Sequence, residues 1–401
     1  MTDVAKEVSM KPAMTVNAEG MMARVMLAFL ATAGLFYVNI MPAIVSGLID
    51  SLGFSRADAG LVASLNIYGA AVGALVAVFI ITRVYWKPLA VALLLGLIAL
   101  DTLSIWVTEP LTMKLLRGLH GMVGGMLVGV SFAVIARVSL VHKTFGYLLF
   151  VQFGLGGLGV MFLPPLAPVY GTAALFLSLI AFSAVSLVML LMLPAYRVED
   201  APKPTVGSDI QWRPLGAALL SVFLFQAANM GLYAYIIDLG KSYGLSLTFI
   251  SPTLGISAWA GLVGAWLVII FSTRLGRTVP LFVATTLTLL ATIALHYSAS
   301  QSVFWIANVL VGITWAFCIA YLLGICAEFD KEGKMAALGG FASKTGLASG
   351  PMVSALLLSG GDYTVLINVA AIALAACLLI CLYPTQLLDK LDKSVQDSGS
   401  G

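Results

Sequence analysis

Long apolar runs alternate with short polar breaks along almost the whole chain. Twelve runs are long enough to cross a hydrocarbon core as helices. They cover residues 22–48, 59–81, 88–108, 111–136, 145–168, 171–194, 214–238, 248–271, 279–298, 302–327, 335–358 and 363–383. The runs are continuous rather than alternating, which predicts helices and not barrel strands. Glycine clusters such as Gly121, Gly124 and Gly125 predict helices in close contact. The expected fold is therefore all-α, a polytopic membrane protein with 12 transmembrane helices.

Basic residues set the expected orientation. With a cytoplasmic N-terminus, only Arg56, Lys114 and Lys241 fall in outer loops, and Arg117 and Lys344 fall inside the membrane. The remaining Lys and Arg residues all lie on the inner side. Both termini are thus expected in the cytoplasm, with a bacterial inner membrane as the expected location. Residues 195–213 contain Pro202, Pro204 and mixed charges, and read as a cytoplasmic linker. The expected organisation is a tail (1–21), a six-helix bundle (22–194), the linker (195–213), a second bundle (214–383) and a tail (384–401). No short cleavable leader is expected ahead of the first run.

Composition sharpens this picture. Hydrophobic residues make up 61% of the 401 and charged residues only 10%, whereas a soluble domain carries roughly 25% charge. A soluble enzyme, a disordered chain and a nucleic-acid partner are excluded. The four cysteines sit inside apolar runs, against a disulfide framework. His120, His142 and His296 lie in distant segments, against a metal site or an intramembrane metalloenzyme. No phosphate-cradling loop of the G-x-x-x-x-G-K-[ST] type occurs, so no ATP hydrolysis and no cofactor are expected.

The two bundles share a register. Thr82-Arg83 matches Thr273-Arg274 at a shift of 191; Arg117 and Gly121 fall on Asn308 and Gly312, and Gly159 on Gly350, at the same shift. A duplicated six-helix unit is the reading that explains all three. With these anchors the chain resembles the major facilitator superfamily of transporters over nearly its whole length. That resemblance implies two pseudo-symmetric six-helix bundles around a mid-membrane substrate site. The family's loop motif G-x-x-x-D-R-x-G-R-[RK] is kept in part as Arg83 and Lys87, and more closely as Arg274-Leu275-Gly276-Arg277. These four basic residues are the expected gating positions, and positive-inside anchoring explains part of their presence.

Arg117-Gly118-Leu119-His120-Gly121 resembles an element found in proton-coupled members. Asp101 and Arg117 lie equally far from the turn near Glu109, so they are expected to meet in an antiparallel hairpin. A purely structural pair and a coupling pair are both open readings; His120 and Asp238 are further coupling candidates. Gly346-Leu347-Ala348-Ser349-Gly350-Pro351 matches a drug-antiporter motif in part, in the other half from the usual one.

Polar residues concentrate on the spans that line the cavity in the resembled fold. Gln226, Asn229 and Tyr233 form a stripe on span seven; Tyr37, Asn39, Asn66, Gln152, Asn308 and Trp315 come from spans one, two, five and ten. Lys344 lies about ten residues inside span eleven with no carboxylate expected at its depth, which points to a carboxylate or other anionic solute. The expected function is secondary transport of a small anionic or amphipathic solute by a proton-coupled monomer. A drug or sugar efflux antiporter is the alternative, and a channel or receptor a more distant one.

Overall fold

The computed structural model describes residues 15–81, 83–138, 140–194, 196, 211–271, 274–329 and 334–399. The described residues form fourteen α-helices and no strand. The first crossing is broken into α1 (Met21–Ala33), α2 (Phe36–Asn39) and α3 (Met41–Leu52). Two features break it. Pro42 stands in the first turn of α3 and leaves Ile40 outside the helix. Gly34 lies so close to the carbonyl of Gly124 that a Cβ there would collide with it.

Unbroken crossings follow: α4 (Arg56–Ile80), α5 (Trp86–Ser104), α6 (Pro110–Ile135), α7 (Val141–Tyr170) and α8 (Thr172–Met192). The second set is α9 (Trp212–Ser242), α10 (Leu247–Phe271), α11 (Thr278–Ala294), α12 (Gln301–Glu328), α13 (Lys334–Leu357) and α14 (Tyr363–Gly399). Ten of these helices are long and apolar enough to cross a membrane by themselves. The broken first crossing and α13, whose glycines, serines and lysines lower its hydropathy, complete the expected twelve. Residues 1–14 of the expected first tail and 197–210 of the expected linker lie outside the described residues. The charged tail expected from residue 384 continues α14 as helix through Pro384.

Helix starts follow local chemistry. Ser55 caps α4, its hydroxyl accepting from the Asp58 N–H. Glu109 caps α6 by accepting from the N–H groups of Thr112 and Leu111, which hold its carboxyl below the usual range.

The duplication is visible in the packing. Gly121 of α6 abuts the Asn66 carbonyl of α4, and Gly312 of α12 abuts the Ser257 carbonyl of α10, both partners being displaced by 191. Gly73 against Met122 repeats as Gly264 against Ile313, and Gly159 against Ile40 repeats as Gly350 against Gly231. Thr82 and Thr273, two of the sequence anchors, lie outside the described residues. Each half thus builds its α4–α6 or α10–α12 pair by the same glycine-mediated approach.

Val16 bonds to the end of α8 at Met192 and Asp389 of α14 bonds to Arg277 before α11, so the described ends of the chain lie on one face of the bundle, called here the termini face. At the opposite end α4 packs on α13, α7 on α10 and α3 on α9, joining the halves. One large buried core joins the halves there and continues through the second half to Leu215, Leu281 and Leu388, whereas a second core around Leu27, Leu94 and Leu190 belongs to the first half alone.

Candidate functional site

A cavity of about 330 Å³ lies between the halves. Asn39 at the end of α2 and Gln152 on α7 face it from the first half; Gln226, Asn229 and Tyr233 on α9 and Asn308 and Trp315 on α12 face it from the second. These are seven of the ten residues expected to contact substrate. No charged side chain bounds the cavity among the described residues. Ser257 and Thr292 add hydroxyls that sequence reading passed over, because a lone Ser or Thr on an apolar helix gives no signal above background.

The polar wall is held in place by its own bonds. Trp315 Nε1 donates to Gln226 Oε1 at 2.7 Å, and Gln226 Nε2 donates to the Ser343 hydroxyl at 2.8 Å. The Tyr233 ring stands edge-on to Trp315, centroids 5.7 Å apart. The Tyr233 hydroxyl donates across the interface to the Asn39 carbonyl at 2.8 Å. Asn39 and Gln152 are linked to each other, at 3.3 Å through the Gln152 carbonyl and at 3.2 Å between side chains.

Three expected substrate residues stand elsewhere. Lys344 is half-buried on α13, one turn toward the termini face from the cavity residue Leu347, and makes no hydrogen bond or ion pair among the described residues. Tyr37 and Asn66 belong to a buried polar cluster inside the first half. There Arg117 Nη1 meets Asp101 Oδ1 at 2.7 Å, as the hairpin geometry predicts, and Arg117 also donates to Ser104 and to the Leu100 carbonyl. His120 Nε2 lies 3.3 Å from the same Asp101 oxygen, and its Nδ1 is 2.9 Å from Asn66 Nδ2. The Arg117 guanidinium sits between the rings of Tyr37 and Phe176. Both members of the pair are fully buried, so each depends on the other to offset lost hydration. Asp101 Oδ2 has no partner among the described residues.

Asp238, the fourth coupling candidate, stands apart from that cluster. It joins a polar group at the end of the interface remote from the termini. Lys241 Nζ lies 3.0 Å from Asp238, 2.5 Å from Asp50 and 2.7 Å from the Ser46 hydroxyl, tying α9 to α3. Asp50 and Lys241 are 191 residues apart, so the pseudo-symmetric positions of the two halves face each other with opposite charge. That coincidence is the sequence signal that could have found the group. Beside it, Arg56 Nε donates to the Tyr363 hydroxyl at 3.2 Å and the Tyr235 hydroxyl donates to the Arg56 carbonyl at 2.7 Å.

The expected gating residues lie on the termini face. Lys87 donates to the Leu193 and Leu191 carbonyls at the end of α8. Arg277 binds Glu328, Asp392 and Asp389, which fastens the loop before α11 to α12 and to the end of α14. Arg83 and Arg274 are exposed. Among the described residues no His, Cys, Asp and Glu cluster could hold a metal ion.

The sequence model described as Major Facilitator Superfamily matches residues 25–355. No curated protein matches the chain. Among solved structures, the nucleoside transporter NupG superposes with a TM-score of 0.74 at 14% identity, over 93% of this chain and 99% of that one. A point mutant of NupG gives 0.71 at 13% identity, over 90% and 98%.

Proposed function

Because the chain belongs to the Major Facilitator Superfamily, we propose that it carries a small uncharged polar solute, coupled to protons, through the amide-lined cavity. The family makes it a secondary transporter of a small solute in a membrane, and not an enzyme. The observation that carries the finer reading is the wall itself. Both halves contribute amides and aromatic rings, and no described charged group faces the cavity. A net charge brought into such a pocket would lose its hydration without a counter-ion. Nucleosides, the solutes of NupG, are one class of this kind: a flat base suits Trp315 and Tyr233, and hydroxyls suit the amides.

In this reading the two halves rock about the cavity. The basic residues on the termini face support a cytoplasmic position for that face, in what we take to be a bacterial inner membrane. The Lys241–Asp50–Asp238 group then closes the external end, and the molecule faces inward. Protons enter through Asp101 and His120, whose shared oxygen and Asp101's free oxygen support an exchangeable site. The molecule acts as a monomer.

A second reading rests on Lys344. Its ammonium has no described partner one turn from Leu347, which favours an anion that passes it on the way to the cavity. Proteoliposome uptake separates the readings. Saturable uptake and counterflow of an uncharged solute, lost in Gln226→Ala and Trp315→Ala but kept in Lys344→Ala, support the first. Uptake of a carboxylate abolished by Lys344→Ala supports the second. Flux that neither saturates nor shows counterflow contradicts both.

A further inference from the structure

The hydrogen bonds of the cavity wall fix which way each amide points. A backbone carbonyl only accepts, so a carboxamide that meets one must present its NH2. Asn229 Nδ2 donates to the Phe225 carbonyl and Asn308 Nδ2 to the Phe304 carbonyl, each at 2.8 Å and each one turn back on its own helix. Their Oδ1 atoms are thereby left over, and both residues line the cavity. On the facing wall, Asn39 Nδ2 meets the Gln152 carbonyl, so Asn39 Oδ1 must accept from Gln152 Nε2. That leaves Gln152 Oε1. At Gln226 both ends are engaged, since the Trp315 indole only donates and Ser343 takes the NH2. The Tyr233 hydroxyl proton is spent on Asn39.

The described wall therefore offers three carboxamide oxygens without a partner, from Gln152, Asn229 and Asn308, while the indole N–H is engaged and each amide nitrogen, having made one bond, keeps a single N–H. On the reading that solute crosses through this cavity, we infer that the site selects solutes with several N–H or O–H donors and rejects anions. A carboxylate or phosphate would set its own oxygens against these three. A solute whose donors are blocked would bury the three oxygens unsatisfied, and a site built to bond O–H or N–H groups discriminates strongly against an analogue that lacks them. Asn229 and Asn308 are the specificity-determining residues of the second half and Gln152 that of the first.

The test uses the full chain in lipid nanodiscs and three matched probe sets. Uridine, glucose and glycerol are each compared with an O- or N-methylated form and with a carboxylate analogue, by binding-induced thermal stabilisation. At least one parent is expected to bind, with its methylated and carboxylate forms about tenfold weaker or worse. Asn229→Leu and Asn308→Leu are each expected to weaken the parent about tenfold. If a leucine variant does not fold, Gln152→Met tests the third oxygen from the other half. A carboxylate or donor-blocked probe that binds as tightly as its parent overturns the inference and leaves the transport reading standing, as does unchanged affinity in the variants. If none of the nine probes binds and none is taken up by proteoliposomes containing the folded protein, the transport reading fails and the inference falls with it.

Discussion

The two ends of the interface between the halves are built differently. At the end remote from the termini the halves are tied across. Lys241 bridges to Asp50, Tyr235 to Arg56, the Ser64 hydroxyl donates to the Ala348 carbonyl at 2.6 Å, and Tyr68 and Ser349 share a hydrogen bond of 2.7 Å. Trp259 Nε1 donates to the Gly154 carbonyl, and Gly60 and Gly157 let side chains of the other half reach the backbone. At the termini end, Trp86, Lys87 and Arg277 bond within their own halves. The apolar cores repeat the division: one cluster is continuous across the halves at the remote end, and at the termini end the first half has a separate core of its own. The lesson is energetic. The crossing ties are few, and Lys241 and Asp50 are 26% and 37% exposed, so each ion pair contributes about 0–1 kcal/mol. These polar ties therefore add little strength of their own and set how the halves meet, while the apolar core continuous beneath them supplies most of the packing at this end.

Perturbations can break this contrast in order of size. Arg117→Ala leaves Asp101 buried within the first half with only His120 beside it, and should cost about 3–5 kcal/mol in a detergent melt. It should not change which end of the interface is closed, as cysteine-labelling accessibility would report. Gly60→Val would push a side chain against Tyr235 and Ala355. Overpacking of this kind costs about 1–3 kcal/mol, and here it should fall on the closed state alone, increasing labelling at the remote end and slowing transport. Lys241→Ala should cost about 1 kcal/mol or less yet also raise accessibility at that end, and Lys241→Glu, which gathers three carboxylates, should raise it further. Ser64→Ala removes a single interhelical bond worth about 0.6 kcal/mol; a small shift in labelling with unchanged melting is the expected outcome.

Much of this was legible in the sequence because the membrane simplifies the code. Continuous apolar runs can be only helices there, so the crossings and the register of 191 could be read directly. The Asp101–Arg117 pair followed from counting residues away from a turn. The amide wall was legible because polar residues inside a membrane are costly and few. Lys344 illustrates the limit. Depth is encoded by position along a helix, but the direction of a side chain depends on how helices rotate against one another, and no single-helix pattern sets that. The break at Ile40 was hidden for a related reason, since Pro42 and Gly34 are compatible with an intact apolar run until the approach of Gly124 is known. The Lys241–Asp50 tie escaped notice because its two members are ordinary charges near helix ends until the pseudo-symmetry brings them together.

Joining the tied end covalently tests the central claim, that the halves must part there while rocking about the cavity. Asp50→Cys and Lys241→Cys place two accessible thiols across the interface, while the four native cysteines are buried. Crosslinking with a short bis-maleimide is predicted to abolish proteoliposome counterflow while solute binding to the cavity from the termini face persists; each single-cysteine variant treated alike should keep transporting. Full transport by the crosslinked protein would contradict the account.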